Sequence, residues 1–326
     1  MMNFSTAVAR ILTAGMLIAI AGLAAAQQAY PSKSIRFIVP FPPGGTTDQL
    51  ARLVGQKLTE SWDQQVIVDN RPGGNTIIGS EALVKSPADG YTILLTSIAH
   101  VIVPSLLPTP YDAIKDFAAV ATIASNELVL VLHPSVPANT LQELIALAKS
   151  RPGQLNYAST GSGTINHLAG ELLNIRTGIK LQHIPYKGAA PALVDLIGGQ
   201  VQMFINHPIA VIPYIRSGKV KAISISGESR LSVLPQVPTF SEAGLPGFDL
   251  KNWAGVAAPA ATPKAIIDKL SAEIARILNL PEVKEKLVGQ GMDPFISSPE
   301  QAAALMKADL AKFIKVIKAA NIKMDQ

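Results

Sequence analysis

A buried β-strand that runs straight into a Pro/Gly break and then into a helix leaves few folds open to a chain. Residues Ile35 to Val39 are largely apolar and β-branched, which predicts such a strand. Pro42, Pro43, Gly44 and Gly45 then stop it, because proline cannot continue a sheet ladder and glycine permits the backbone of a tight loop. Thr46, with Gln49 three residues on, predicts the N-cap and capping box of a helix whose apolar face is Leu50, Leu53, Val54 and Leu58. Strand, glycine loop and helix start bring free backbone N–H groups and the positive end of a helix dipole together, a combination suited to an anion. The same pattern also fits a capped strand-to-helix turn with no ligand, which every α/β protein contains.

The design recurs. Val66 to Val68 predicts a strand, Asp69 to Asn75 a turn-rich loop, Ile77 to Lys85 a helix and Tyr91 to Thr96 another strand. That βαβαβ order predicts a parallel sheet with ligands beyond the carboxyl ends of its strands. The loops there hold Gly44, Gly45, Thr46, Thr47, Asn75, Ser97 and His100. Strands at Val120 to Ala124 and Leu128 to Leu132, around Ser125, Asn126 and Glu127, read as a crossing into a second domain. Strand Leu155 to Ala158 then feeds Ser159, Thr160, Gly161, Ser162, Gly163 and Thr164 and a helix through Leu173. A third copy runs from Leu181 to Ile184 through Tyr186, Lys187, Gly188 and Ala189 to a helix ending at Ile197, and Val201 to Ile205 ends at Asn206, His207 and Pro208. Beyond residue 227 the chain changes character: a strand from Asp249 to Ala258, then helices Pro263 to Leu278, Pro281 to Val288 and Pro299 to Lys318.

Residues 1–26 carry one charge, Arg10, before an apolar run from Ile11 to Leu23 and the small residues Ala24, Ala25 and Ala26. They predict a cleavable signal peptide and export to the periplasm, with an uncleaved N-terminal anchor as the alternative. The chain has no cysteine, which excludes disulfides, thiolate metal sites, cysteine nucleophiles and a lipid anchor on cysteine. The formal charge of +5 falls to +4 once Arg10 is removed. That mild positive charge suits an anionic small molecule through long-range steering, and the lack of a Lys/Arg run or basic-aromatic interleaving excludes a nucleic-acid reading.

Catalytic patterns fail on spacing. Ser162 between Gly161 and Gly163 does not make Gly-x-Ser-x-Gly, and neither a His-Glu-x-x-His run nor a nucleotide-binding glycine motif occurs. His167 and Glu171 lie one helical turn apart and read as a structural pair before half a metal site. No catalytic residue, metal or cofactor is therefore assigned. Helix starts near Thr46, Thr164 and Ala189 open toward one cleft if two lobes face each other, and Asp48 reads as a stabiliser of its loop and dipole.

A set of motifs in order along nearly the whole mature chain now carries a resemblance. They are Tyr30-Pro31; the Ile38 to Asp48 stretch with its Pro-Gly-Gly; Val68 to Gly73; Ala88 to Thr92; His167 to Glu171; Pro185 to Pro191; Asp195 to Gln200; Val237 to Phe240; and Trp253 with Gly255. Together they resemble the Bug-type solute-binding receptors of tripartite tricarboxylate transporters. The resemblance implies an α/β, two-lobed periplasmic-binding-protein fold (type II-like), with mostly parallel sheets flanked by helices and a ligand cleft between the lobes. Lobe 1 is then 27–124 plus 227–326, and lobe 2 is 125–226. It implies a receptor, not an enzyme, that captures a small carboxylate and delivers it to membrane transporter subunits. A monomer is expected. The expected ligand-binding set is Gly44, Gly45, Thr46, Thr47, Asn75, Ser97, His100, Ser159, Thr160, Gly161, Ser162, Thr164, Gly188, Ala189 and Asn206. Asn206 stands where many relatives carry an aspartate, so a ligand needing a carboxylate partner there is not expected. An extracytoplasmic enzyme acting on a small organic acid, and a receptor feeding a sensor kinase, stay open as alternatives.

Overall fold

The computed structural model describes residues 30–248 and 250–322. The expected signal peptide and its cleavage after Ala26 lie outside the described residues. Two sheets organise the rest. The first has the order β11-β4-β10-β3-β1-β2, and the second β7-β6-β8-β5-β9. In the first sheet the strands are β1 (Ile35–Val39), β2 (Val66–Asn70), β3 (Thr92–Ser97), β4 (Phe117–Glu127), β10 (Lys251–Pro259) and β11 (Asp293–Pro294); in the second they are β5 (Val129–Leu132), β6 (Asn156–Ser159), β7 (Gln182–Pro185), β8 (Met203–Asn206) and β9 (Lys221–Ile225). The helices are α1 (Thr46–Trp62), α2 (Ile77–Val84), α3 (Ala99–Ile102), α4 (Leu141–Ser150), α5 (Ile165–Thr177), α6 (Ala189–Ile197), α7 (Pro208–Arg216), α8 (Lys264–Leu278), α9 (Pro281–Gly289) and α10 (Pro299–Ala319).

Parallel pairing links β1 to β2 and β3, and β6 to β7 and β8, as the βαβ pattern predicts. The strands near the passages between sheets are antiparallel instead: β10 to β3 and β4, and β5 to β8 and β9. Each sheet is therefore mixed rather than mostly parallel. A strand that enters from the other sheet needs no crossover helix and is free to run either way.

Side-chain alternation builds the layers. Ile35, Phe37 and Val39 share a core with Leu50 and Val54 of α1 and with Leu270 and Ile274 of α8, whereas Ile38 faces Leu83, Leu94 and Phe117 on the opposite side. In the second sheet Leu130 and Ile205 point toward α4, α5 and α10, while Val131 and Phe204 point toward α6 and α7. The last helix packs on both α3 and α5, so one apolar cluster holds Ile98 and Ile102 together with Leu168 and Phe313.

The first passage is one residue long. β4 runs on through Ser125, Asn126 and Glu127, the residues read as the crossing, and β5 begins after Leu128. Ser226 ties the two passages together: its Oγ accepts the Leu128 N–H at 2.8 Å, and its hydroxyl donates to the Leu250 carbonyl. Between them, residues 240–247 pack on second-sheet elements. The Phe240 N–H donates to the Ile225 carbonyl at 2.9 Å, Gln142 donates to the Ala243 carbonyl at 2.9 Å, and Arg176 donates to the Gly247 carbonyl at 3.0 Å.

Candidate functional site

The β1–α1 loop is held from within. Gly45, in extended conformation, is the N-cap of α1, and no side chain caps it, so the Thr46–Gln49 capping box does not form. The Gln49 amide donates instead to the Gly44 carbonyl at 3.2 Å. Gly44 has φ +86°, a conformation only glycine adopts cheaply. Asp48, buried, accepts the Gly44 N–H at 2.8 Å, the Arg52 guanidinium at 2.9 Å and the Asn70 amide at 2.9 Å. Burial pushes its carboxyl up, but these hydrogen bonds outweigh burial and hold it below the usual carboxylate range. With Asp48 engaged and no side-chain cap, the first N–H groups of α1 stay available to a ligand.

The loop after β2 keeps positive φ for four residues, Gly73, Gly74, Asn75 and Thr76, at +119°, +55°, +52° and +81°. Glycine and asparagine accept this; a β-branched threonine does so only under strain. Thr76 is nevertheless 6 % exposed, and its Oγ1 has no hydrogen-bond partner.

On the second sheet, the loop after β6 is a small polar network. The Ser159 Oγ accepts the Gly161 N–H at 3.1 Å and lies 2.7 Å from Nε2 of His183. Thr160 donates to Oδ1 of Asn166 at 2.7 Å, and Asn166 in turn donates to Oδ1 of Asn206 at 3.1 Å. The Gly163 N–H donates to Nδ1 of His167 at 3.0 Å, which leaves the other nitrogen of a neutral His167 to carry the proton. His167 and His183 stack with ring centroids 3.7 Å apart. Burial drives both imidazoles down to about 4, the neighbouring ring adding to the effect at His167. Thr164 ends the loop as the N-cap of α5.

These loops face one another across a cavity of about 440 Å³. Of the expected site residues, Thr46, Thr47, Asn75, Ser97, Ser162 and Thr164 line it. The remainder stand behind or away from it. Gly44 and Gly45 shape the α1 loop; Ser159, Thr160 and Gly161 belong to the network that supports Ser162 and Thr164; Asn206 is buried against Asn166. His100 lies in an aromatic cluster with Phe117, its Nε2 2.9 Å from the Ala113 carbonyl. Gly188, the N-cap of α6, and Ala189 do not line the cavity, and neither do Tyr186 and Lys187 beside them. Tyr186 donates to Asp195 at 2.7 Å. The His167–Glu171 pair is not joined: Glu171 accepts the Tyr157 hydroxyl at 2.6 Å, while His167 serves Gly163.

The wall contains residues that the loop pattern does not reveal. Thr76, Asn126, His207, Asn252, Trp253, Gln290 and Met292 all contribute, as do Ile98, Ile102, Val103, Leu106 and Leu107 from one continuous stretch. Asn126, Asn252 and Trp253 come from the paired strands β4 and β10, where only the antiparallel register brings them together. Trp253 is fixed by donating its indole N–H to Oδ2 of buried Asp309 at 2.8 Å. Among the described residues no Asp, Glu, Lys or Arg lines the cavity, and no group of three or more His, Asp or Glu is placed to hold a metal. No described helix is long and apolar enough to cross a membrane.

Comparison with known proteins supplies the rest. Residues 50–322 match a family described as the tripartite tricarboxylate transporter family receptor. Protein BugT of Bordetella pertussis is 39 % identical over 315 residues, covering 95 % of this chain and 97 % of its own. A solved structure of a TctC solute binding protein from Polaromonas superposes with a TM-score of 0.81 at 30 % identity, covering 89 % of this chain and all (100 %) of that one. R. palustris Rpa4515, solved with adipate, superposes with a TM-score of 0.74 at 34 % identity, covering 91 % of this chain and 100 % of its own.

Proposed function

We propose that this chain, which belongs to the tripartite tricarboxylate transporter receptor family, captures a small carboxylate between two lobes outside the cytoplasm and hands it to membrane transporter subunits. The observation that carries the reading is the pair of helix starts, Thr46–Thr47 of α1 and Thr164 of α5, on opposite sides of one cavity. Backbone N–H groups and hydroxyls at two such starts hold a carboxylate without a dedicated arginine. Rpa4515, with its bound adipate, supports a carboxylate as the class of solute.

Residues 1–26 serve in this reading as a cleaved export signal, and the receptor works as a monomer that binds without turnover. The lobes are 27–124 with 227–326, and 125–226. Hydrogen bonds between residues 240–247 and second-sheet elements favour a second boundary nearer Leu250. Thr46, Thr47, Ser162 and Thr164 contact the carboxylate, and Ser159, Thr160, Gly161 and Asn206 act by holding the second loop.

Thermal shift across a panel of mono-, di- and aromatic carboxylates tests the function. A true ligand at 100 times its Kd stabilises by about 2.7 kcal/mol. Gly45→Val tests the site, because Gly45 has φ −77° and an added Cβ meets nothing closer than the Pro42 carbonyl at 3.9 Å. The variant should fold and lose the shift. A folded variant with an unchanged shift removes the α1 loop from the site.

A further inference from the structure

Asn126 and Asn252 stand opposite each other in the antiparallel register of β4 and β10, and both line the cavity. Nδ2 of Asn252 donates to Oδ1 of Asn126 at 3.0 Å. That single bond leaves Nδ2 of Asn126 and Oδ1 of Asn252 without a partner among the described residues. Exchanging the two roles leaves the same offer, one free donor and one free acceptor. Asn126 is 9 % exposed and Asn252 half-buried, yet neither free atom is sealed in the wall. Oε1 of Gln290 and Nδ1 of His207, on the same wall, are sealed.

The pair has a fixed seat. Asn126 comes two residues before Leu128 and Asn252 two after Leu250, and Ser226 bonds to both of those leucines where the chain passes between the sheets. The next residue, Trp253, is held by Asp309. Two amides carried on paired strands and bonded to each other offer their free atoms in a set geometry, as a recognition point requires.

We infer that this amide pair is a second recognition point of the cleft and that it selects a solute whose body carries a carboxamide. The inference rests on the carboxylate reading above and adds a group that the solute offers besides its carboxylate. A carboxamide carbonyl accepts from Asn126 while its N–H donates to Asn252, so both free atoms are used. A methyl ketone of the same shape accepts from Asn126 but turns a methyl group to the Asn252 oxygen. The cleft is open to solvent, so the difference is that of one net hydrogen bond, about two- to tenfold in affinity.

Succinamate, glutaramate and adipamate, each set against its methyl-ketone isostere (4-oxopentanoate, 5-oxohexanoate and 6-oxoheptanoate), form matched pairs of three lengths. Titration calorimetry of the mature chain should show, at the length that binds best, the amide about two- to tenfold tighter than the ketone. The double variants Asn126→Leu with Asn252→Leu, and Asn126→Ala with Asn252→Ala, remove both amides. Each should keep a cooperative thermal transition and bring the amide-to-ketone ratio to about one, whereas a purely structural role would weaken both acids alike and leave the ratio unchanged. Equal affinities for amide and ketone in the unaltered protein, or a ratio unchanged in a folded double variant, overturn the inference and leave the carboxylate reading standing. Binding by none of the six acids also overturns it, and the carboxylate reading falls with it only if no acid of the wider carboxylate panel gives a thermal shift.

Discussion

Oδ2 of Asp48 accepts the amide N–H of Gly44 at 2.8 Å, so the carboxylate nearest the α1 start turns away from the cavity and into its own loop. This is how an acidic residue is compatible with the proposed anion site beside it. Its oxygens are engaged by Gly44, Arg52 and Asn70, and it orients the loop whose N–H groups are proposed to meet the carboxylate. Asp48→Ala should cost about 1–3 kcal/mol of stability, from lost hydrogen bonds to a buried charged group. It should also weaken carboxylate binding, although a negative charge has been removed. Urea unfolding and calorimetry on the same sample check both; tighter binding in the variant would mean that Asp48 repels the ligand directly.

Thr76 should show a trade between stability and binding. Thr76→Gly relieves a β-branched residue from φ +81°. Relief of such strain is worth on the order of 1–3 kcal/mol, less what is lost in packing and in unfolded-state entropy. The variant should be no less stable than the parent and should bind its carboxylate more weakly. Loss of stability with unchanged affinity would assign Thr76 to packing alone.

Gly291 and Ile209 meet across the cleft rim. Gly291 follows α9, Ile209 opens α7, and a Cβ on Gly291 would stand 2.9 Å from the Cβ of Ile209. Gly291→Ala should therefore disfavour this arrangement of the two lobes and weaken binding by population shift. Adding Ile209→Gly, which removes the Cβ that would be struck, should restore affinity but not the stability lost to alanine at φ +71°. Equal affinities in all three proteins, measured by calorimetry, would show that this rim does not couple to binding.

Acid should loosen the second-lobe loop. His100, His167, His183 and His207 are all held down to about 4, chiefly by burial, against an ordinary value of 6.5. A folded-state value below the unfolded one means that the unfolded chain takes up protons first. Stability is then full above pH 6.5 and falls as pH drops toward 4. Protonation of His167 at Nδ1 also removes the acceptor of the Gly163 N–H. His167→Asn offers a non-titrating oxygen in its place, so its urea midpoint should fall less steeply over that pH range. An identical slope would exclude His167 from the acid response.

Much of the fold was legible because its signals are local. Alternating apolar residues at Ile35 to Val39 and the glycines after them mark β1, its loop and α1 without reference to any other segment. The two polar loops were legible for the same reason, and Thr46, Thr47, Asn75, Ser97, Ser162 and Thr164 do line the cavity. His100 looked similar by position beyond β3, yet Phe117 and Ala113 draw it into the interior. The apolar wall was not legible, because Ile98 to Leu107 has the composition of ordinary core and its exposure to a cleft is decided by tertiary packing. Asn126 and Asn252 are remote in the chain, and only the β4–β10 register makes them hydrogen-bonded neighbours, 3.0 Å apart, on the wall of one space.

The central claim is that two helix starts, one from each sheet, share one carboxylate. A crystal structure grown with the acid that gives the largest thermal shift in the carboxylate panel tests it directly. The account predicts carboxylate oxygens within about 3 Å of donors on both Thr46–Thr47 and Ser162–Thr164. A carboxylate held by one of these loops alone, or seated elsewhere in the molecule, would contradict it.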